Sequence, residues 1–182
     1  MKLIHPPGLP RPFESDDLVI GAGGEVRWAV VRVTRGLEGR RFEETPPEPV
    51  RMDIRGHRFV PHVLAVRTGQ AIPFVNRDAE LHHVHPTEPW GSGFIPPGTR
   101  EYRRPGFVRL RCDIHPWCSG WIAAFDHPFF AVTDEAGRFT IRGLPPGRYT
   151  LEAWHERLQA APVDITVTED SMTIADILLV RV

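Results

Sequence analysis

Residues 108–121 have the sequence VRLRCDIHPWCSGW, in which a short loop joins two predicted β-strands. The loop offers Cys112, His115 and Cys118 as possible metal ligands at C-x2-H-x2-C spacing. Three such donors within seven residues can reach one ion only if the loop folds around it. Pro116 favours that arrangement because its ring fixes φ and it has no backbone donor. The segment therefore predicts a metal site at the end of a β-strand.

A second group of possible ligands follows another predicted strand, at residues 70–76. The chain continues as ELHHVHP (residues 80–86), which contains His82, His83 and His85. Two strand ends that meet at one pole of a β-sandwich would combine two imidazoles with one thiolate, the trigonal set expected of blue-copper sites. Such a set favours electron transfer over catalysis, because it leaves no ligand position open for a substrate.

The rest of the chain is also typical of an all-β protein. Its 19 prolines and 16 glycines interrupt the sequence too often for long helices, and the runs between them are short and rich in β-formers. Only residues 154–160 could form a short helix. Besides residues 70–76, strands are predicted at residues 25–33, 58–66, 106–112, 120–126, 129–133, 138–142, 148–154, 162–168 and 172–179.

Two boundaries divide the chain into three parts. The acidic, proline-rich segment EETPPEP (residues 43–49) is typical of a linker, and a second boundary lies near residues 126–128. A C-terminal part of roughly 55 residues makes a marginal core on its own, so we expect it to pack on the rest of the chain. The predicted parts are an N-terminal extension with the first strands (1–49), a metal-binding domain (50–126) and a small β-module (127–182).

The two ligand-bearing segments together resemble those of the cupredoxin family, in particular of its amicyanin-like members. NRDAELHHVH (residues 76–85) resembles the upstream histidine segment, and CDIHPWC (residues 112–118) resembles the ligand loop. The resemblance implies a Greek-key β-sandwich that binds one copper ion and transfers electrons. It also implies that His82, Cys112 and His115 are the ligands.

The same resemblance implies roles for three neighbours of the ligands. Cys118 stands where the family has its axial methionine, and Asn76 matches an asparagine that hydrogen-bonds to the cysteine loop. His83 replaces an asparagine beside the first ligand, and we expect it to be a neighbour of the metal site. A thiolate at Cys118 would bind more strongly than a thioether and favour a tetrahedral S2N2 set, whereas a neutral thiol would leave a near-normal blue site. We therefore predict an atypical copper centre with Cys118 as its axial ligand.

DEAGRFTIRGLPPGRYTLEAW (residues 134–154) resembles the carboxypeptidase-regulatory or transthyretin-like β-sandwich module, which is noncatalytic and usually extracytoplasmic. Together the two resemblances suggest a bacterial cell-envelope copper protein of the methylamine-utilisation kind. They imply a periplasmic location and a redox partner protein. We expect that partner to dock near His115 and Trp117, because Pro116 and Trp117 would form an apolar patch and redox encounters use small interfaces.

Composition and charge argue against two other classes of protein. The formal net charge is −1 and the basic residues are spread among acidic ones, so a nucleic-acid surface has no electrostatic support. No segment has the apolar length needed to cross a bilayer, and the N-terminal residues have no apolar run typical of a signal peptide.

Alternatives to a copper electron carrier remain open from the sequence. Cys112 and Cys118 are close enough in the chain for a local disulfide. A noncatalytic Cys2His2 site could hold zinc, or Cu(I) for storage or delivery. We do not expect an enzyme, because the other histidines are too scattered to build a second copper site. Four of them are interpreted as ordinary strand or loop residues: His57, His62, His127 and His155.

Overall fold

The computed structural model describes residues 3–4, 13–42, 49–87 and 98–181 of the chain. The regular structure in these ranges is β-strand, which confirms the all-β prediction. The helix considered for residues 154–160 is wrong, because that stretch contains the end of one strand and the whole of another. Among the described residues, no helix is long and apolar enough to cross a membrane.

The strands divide between two compact units. The central unit comprises Lys2–Glu14 with Glu44–Asp126, and the terminal unit comprises chiefly Ser15–Glu43 with His127–Val182. The linker predicted at residues 43–49 lies, except for Pro49, outside the described residues. In chain order the strands are β1 (Leu3–Ile4), β2 (Phe13–Glu14), β3 (Val30–Arg35), β4 (Met52–Ile54), β5 (Phe59–Val60), β6 (Val63–Arg67), β7 (Ala71–Asn76), β8 (Val84–Pro86), β9 (Gly98–Glu101), β10 (Gly106–Cys112), β11 (Ser119–Phe125), β12 (Phe130–Val132), β13 (Gly147–Trp154), β14 (Leu158–Ala160), β15 (Val163–Val167) and β16 (Leu179–Arg181).

The central unit is a sandwich of two four-stranded sheets, with strand orders β6-β11-β10-β8 and β5-β4-β7-β9. In each sheet one pair of neighbours is parallel, β6 with β11 and β4 with β7, and the others are antiparallel. Neighbouring strands are often distant in sequence, as in a Greek-key arrangement. Buried side chains of both sheets, including Met52, Phe74, Leu110 and Ile122, form one hydrophobic core. The predicted cupredoxin-like sandwich is confirmed.

Strand β10 positions the candidate site, because its alternate side chains Leu110 and Cys112 face the core. The last residues of β10 pair with β8, and Cys112 lies opposite Val84. The pairing continues past the strand end, where the backbone N–H of Asp113 donates to the carbonyl of His83 at 3.0 Å. This register brings the two predicted ligand segments side by side.

The terminal unit contains a sheet of order β12-β3-β13-β15 and a two-stranded sheet, β14-β16. Strand β3 comes from the N-terminal part of the chain and completes the sheet of the C-terminal part. The predicted small C-terminal β-sandwich is confirmed. The strand predicted at residues 138–142 is wrong, since that stretch does not pair as a strand. Of the strand predicted at residues 172–179, only Leu179 lies in a strand, as the first residue of β16. The alternating pattern of the two stretches instead serves packing, because Phe139, Ile141 and Ile177 contact the core of this unit.

Candidate metal centre

Three potential donor atoms meet at the end of β10. The sulfur of Cys112 lies 3.7 Å from Nδ1 of His82 and 3.7 Å from Nδ1 of His115, and the two nitrogens lie 3.3 Å apart. Donors bound to one ion at about 2.0–2.3 Å, with angles of about 110–120°, are separated from one another by about 3.3–3.8 Å. The three side chains therefore fit a common ion, and a set of two imidazoles and one thiolate suits copper.

A carboxylate fixes the orientation of His82, whose side chain is only 1% exposed. The imidazole donates its Nε2–H to Oδ2 of Asp78 at 2.9 Å. A hydrogen atom on Nε2 leaves the lone pair of Nδ1 free, and Nδ1 is the atom that faces Cys112 and His115. In metal sites an outer carboxylate commonly sets the tautomer of a ligating histidine in this way.

Asp78 also anchors the turn between β4 and β5. Its Oδ1 accepts a hydrogen bond from the backbone N–H of Gly56 at 2.6 Å, and its Oδ2 accepts one from the N–H of His57 at 2.9 Å. Burial alone would raise the pKa of Asp78, but these two bonds and the bond from His82 outweigh burial and lower that pKa. The side chain is therefore an ionised carboxylate that accepts all three bonds.

Two backbone hydrogen bonds fold the loop that follows Cys112. The N–H of Cys118 donates to the carbonyl of His115 at 2.8 Å, and the N–H of Cys112 donates to the carbonyl of Cys118 at 3.2 Å. His115 is half-buried, and its pKa is lowered by burial and by the nearby imidazoles of His57 and His82. The low pKa keeps His115 neutral, which is the form that binds a metal.

Cys118 and Cys112 are both buried free cysteines, so the disulfide considered from the sequence is not formed. Burial, followed by the negative charges of Cys112 and Asp78, raises the pKa of Cys118 well above its usual value. The Cys118 thiol is therefore neutral in the absence of a metal ion. Among the hydrogen bonds of the described residues, none joins the Cys118 sulfur to the imidazoles of His82 or His115.

Asn76 supports the segment that leads to His82. Its Oδ1 accepts a hydrogen bond from the N–H of Asp78 at 2.9 Å, and its Nδ2 donates to the carbonyl of Glu80 at 2.8 Å. Both bonds lie within the loop between β7 and β8, whereas the family resemblance predicts a bond to the cysteine loop. Asn76 thus shapes the loop that presents Asp78 and His82.

His83 and His85 lie beside the donor cluster and hold a different carboxylate. Nδ1 of His83 and Nε2 of His85 each donate to an oxygen of Asp113 at 2.7 Å. The hydrogen bond from His83, and to a smaller extent that from His85, lowers the pKa of Asp113. Because Asp113 directly follows Cys112, these bonds tie the histidine segment to the cysteine loop.

His57, interpreted from the sequence as an ordinary loop residue, lies at this site. One potential ligand atom from each of His57, His82 and His115 falls within 4.8 Å of the others. The ring centre of His57 is 4.4 Å from that of His115 and 5.4 Å from that of His82. The local sequence feature that could have drawn attention to His57 is the glycine before it. Both residues lie in a turn with left-handed backbone, with a φ of 61° for Gly56 and 59° for His57.

Apolar side chains lie next to the candidate ligands in sequence and are exposed at the surface of the central unit. Leu81 and Ile114, which directly precede His82 and His115, are 73% and 47% exposed respectively. Leu81 comes before a buried histidine and Ile114 before a half-buried one. The ring centre of Trp117 lies 5.4 Å from that of His115. The residues predicted to receive a partner, His115 and Trp117, are thus adjacent in space.

Comparison with known proteins agrees with both resemblances. The carboxypeptidase regulatory-like domain family matches residues 124–180. The sequence matches none of the curated proteins with which it was compared.

The similar solved structures are largely cupredoxins. A purple cupredoxin from Nitrosopumilus maritimus is 19% identical, with a TM-score of 0.38, and the match covers 42% of this chain and 100% of that chain. A reduced amicyanin variant is also 19% identical, with a TM-score of 0.36 and coverage of 52% and 99%. A copper-containing nitrite reductase from Thermus scotoductus is 26% identical, with a TM-score of 0.39, but only 25% of that chain is covered, against 53% of this one. This chain is therefore similar to cupredoxins and contains a segment that matches the carboxypeptidase regulatory-like domain.

Proposed function

We propose that this protein binds one copper ion through His82, Cys112 and His115 and transfers single electrons. The observation that carries the proposal is the mutual approach of the three donor atoms, at 3.3–3.7 Å. A copper ion held there would supply a Cu(II)/Cu(I) couple, with a thiolate giving covalency and imidazoles suiting both oxidation states.

The surroundings of the donors support electron transfer rather than catalysis. The two ligand segments are tied together by the pairing of β8 with β10 and by the contacts of Asp113 with His83 and His85. A site fixed in this way changes little between oxidation states, which keeps the reorganisation energy small. The half-buried His115 offers the route for electrons to the surface, whereas His82 is buried.

The apolar residues near His115 support a role in docking. A redox partner in the cell envelope would approach the surface that contains Leu81, Ile114 and Trp117, so that its own redox group comes close to His115. Small apolar contacts of this kind suit short-lived electron-transfer encounters.

The absorption and EPR spectra of the copper-loaded protein test the proposal. We expect strong thiolate-to-Cu(II) charge-transfer absorption that disappears on reduction and returns on reoxidation. The zinc-loaded protein is the control, and it should show no such band. A colourless protein that keeps zinc through purification and does not exchange it for copper would support the Cys2His2 zinc alternative instead.

A Cys118→Met substitution tests the fourth donor. If the Cys118 sulfur contacts copper, a thioether in its place should shift the charge-transfer spectrum toward the usual blue type and raise the reduction potential. Cys118→Val is the matched control, since it removes the sulfur and keeps an apolar side chain of similar size. Identical spectra for both variants and the wild type would mean that Cys118 does not touch the metal.

A further inference from the structure

We propose that His57 is an additional ligand of the same ion, so that the centre contains three imidazoles and one thiolate. This inference rests on the proposed copper site and adds a donor that the resemblance to cupredoxins does not include. It is carried by the arrangement of the three imidazole rings and by the carboxylate that His57 shares with His82.

The ring positions fit three imidazoles around one centre. An imidazole bound through nitrogen at about 2.0–2.1 Å has its ring centre about 3.2 Å from the ion. The observed distances between ring centres are 4.4 Å for His57 with His115, 4.7 Å for His82 with His115 and 5.4 Å for His57 with His82. Three rings at about 3.2 Å from a common point give these distances when the angles at that point are roughly 85–115°, within the range of four-coordinate sites. One potential ligand atom of each of the three histidines already lies within 4.8 Å of the others.

One carboxylate positions two of the three histidines. Oδ2 of Asp78 accepts the Nε2–H of His82 and the backbone N–H of His57, both at 2.9 Å. Oδ1 holds the neighbouring N–H of Gly56 at 2.6 Å. Asp78 therefore fixes the side chain of one histidine and the backbone of the other at the same point of the site.

The backbone conformation of His57 is compatible with an imidazole at this point of the turn. His57 has a φ of 59°, and it follows Gly56, which has a φ of 61°. Positive φ is uncommon outside glycine, but histidine is among the few residue types enriched there. The turn can therefore present the imidazole of His57 to the site without the strain that most other side chains would meet.

Of the two candidates for the fourth ligand, Cys118 and His57, the structure favours His57. Among the hydrogen bonds of the described residues, none joins the Cys118 sulfur to His82 or His115, whereas the ring centre of His57 lies 4.4 Å from that of His115. An imidazole is a good ligand for Cu(II) while uncharged. A fourth strong donor is expected to shift the geometry from trigonal toward tetragonal, to favour Cu(II) over Cu(I), and to weaken the blue character of the spectrum.

The decisive measurement is the number of imidazoles coupled to Cu(II), counted by pulsed EPR in the wild type and in His57→Gly. Glycine removes the imidazole and suits the positive φ, so the turn should keep its conformation. We expect three imidazoles in the wild type, two in the variant, at least a tenfold loss of copper affinity by chelator competition, and a spectrum closer to the blue type. His57→Asn, which also tolerates positive φ, guards against an effect specific to glycine.

His127→Gln serves as the matched control. Nδ1 of His127 accepts a hydrogen bond from the N–H of Phe129 in the terminal unit, so this variant loses a histidine without touching the donor cluster. The His127→Gln variant should match the wild type in the number of imidazoles coupled to Cu(II) and in its affinity for copper. Two imidazoles in the wild type, unchanged in His57→Gly, would overturn the role of His57 and leave the copper site of His82, Cys112 and His115 intact. A wild-type protein that binds no copper would overturn the proposed function, and the role of His57 with it.

Discussion

A Cys112→Ser variant loaded with copper is expected to lose the thiolate charge-transfer absorption completely and to bind the ion more than about 100-fold more weakly than the wild type. The loss of absorption follows because a hydroxyl oxygen cannot replace the covalent copper–sulfur interaction. The affinity estimate is a lower limit, since removing a group that merely supports a ligand already costs about 10–100-fold.

Unfolding experiments give an independent measure of how strongly the Cys112→Ser variant binds copper. A ligand that binds only the folded state at 100 times its dissociation constant raises the free energy of unfolding by about 2.7 kcal/mol. The wild type should show this increase on addition of copper, whereas Cys112→Ser should show almost none under the same conditions. Because serine is close to cysteine in size, the variant without copper should retain the fold of the central unit.

Cys118→Ser is the matched control for this experiment. Cys118 is as deeply buried as Cys112, with 1% and 2% of each residue exposed, so both substitutions place a hydroxyl in the same core. Only the change at Cys112 should abolish the charge-transfer band. If Cys112→Ser keeps the band and Cys118→Ser loses it, the thiolate ligand has been assigned to the wrong cysteine.

The parts of the site that are local in sequence could be predicted. The C-x2-H-x2-C spacing identifies a loop that folds on itself, and the alternation of apolar residues gives the bounds of β10, which runs from Gly106 to Cys112 as expected. The approach of His82 to Cys112 could also be predicted, because the family resemblance spans both segments. The first two features depend on a few consecutive residues, and the third depends on the match of two separate segments to one family pattern.

Features that depend on contacts between distant segments could not be predicted. His57 reaches the site because a turn 21 residues upstream of Asp78 donates its backbone N–H groups to that carboxylate, and no local pattern encodes this contact. Strand β3 pairs with β12 and β13, which lie nearly 100 residues or more further along the chain. The sequence of β3 does not indicate whether it joins a sheet of the central unit or one of the terminal unit. The alternation of apolar and polar residues at 138–142 arises because Phe139 and Ile141 pack on the core. It does not mean that the backbone pairs with another strand, so the strand predicted there was wrong.

An Asp78→Asn variant is expected to bind copper about 10–100-fold more weakly than the wild type, although Asp78 itself would not touch the ion. The carboxylate accepts hydrogen bonds from Gly56, His57 and His82 on two oxygens. An asparagine has a single acceptor oxygen, and its NH2 group would face one of these N–H donors. Either the turn that carries His57 or the ring of His82 must then lose its anchor, which frees His82 to adopt the wrong tautomer.

Two measurements separate positioning from general destabilisation. Nitrogen NMR shifts of the His82 ring report its tautomer, and they should show Nε2–H in the wild type and a mixture in Asp78→Asn. Asp134→Asn is the matched control, because Asp134 accepts backbone hydrogen bonds from Ala136 and Arg138, each at 2.9 Å, in the terminal unit. Asp78→Asn should lose about 1–3 kcal/mol of unfolding free energy together with copper affinity. Asp134→Asn should lose little of either, because both of its bonds go to one exposed oxygen, Oδ1, which asparagine keeps. If Asp78→Asn binds copper as tightly as Asp134→Asn and keeps the Nε2–H tautomer, the ring of His82 is oriented by its packing alone and the carboxylate is dispensable for the metal site.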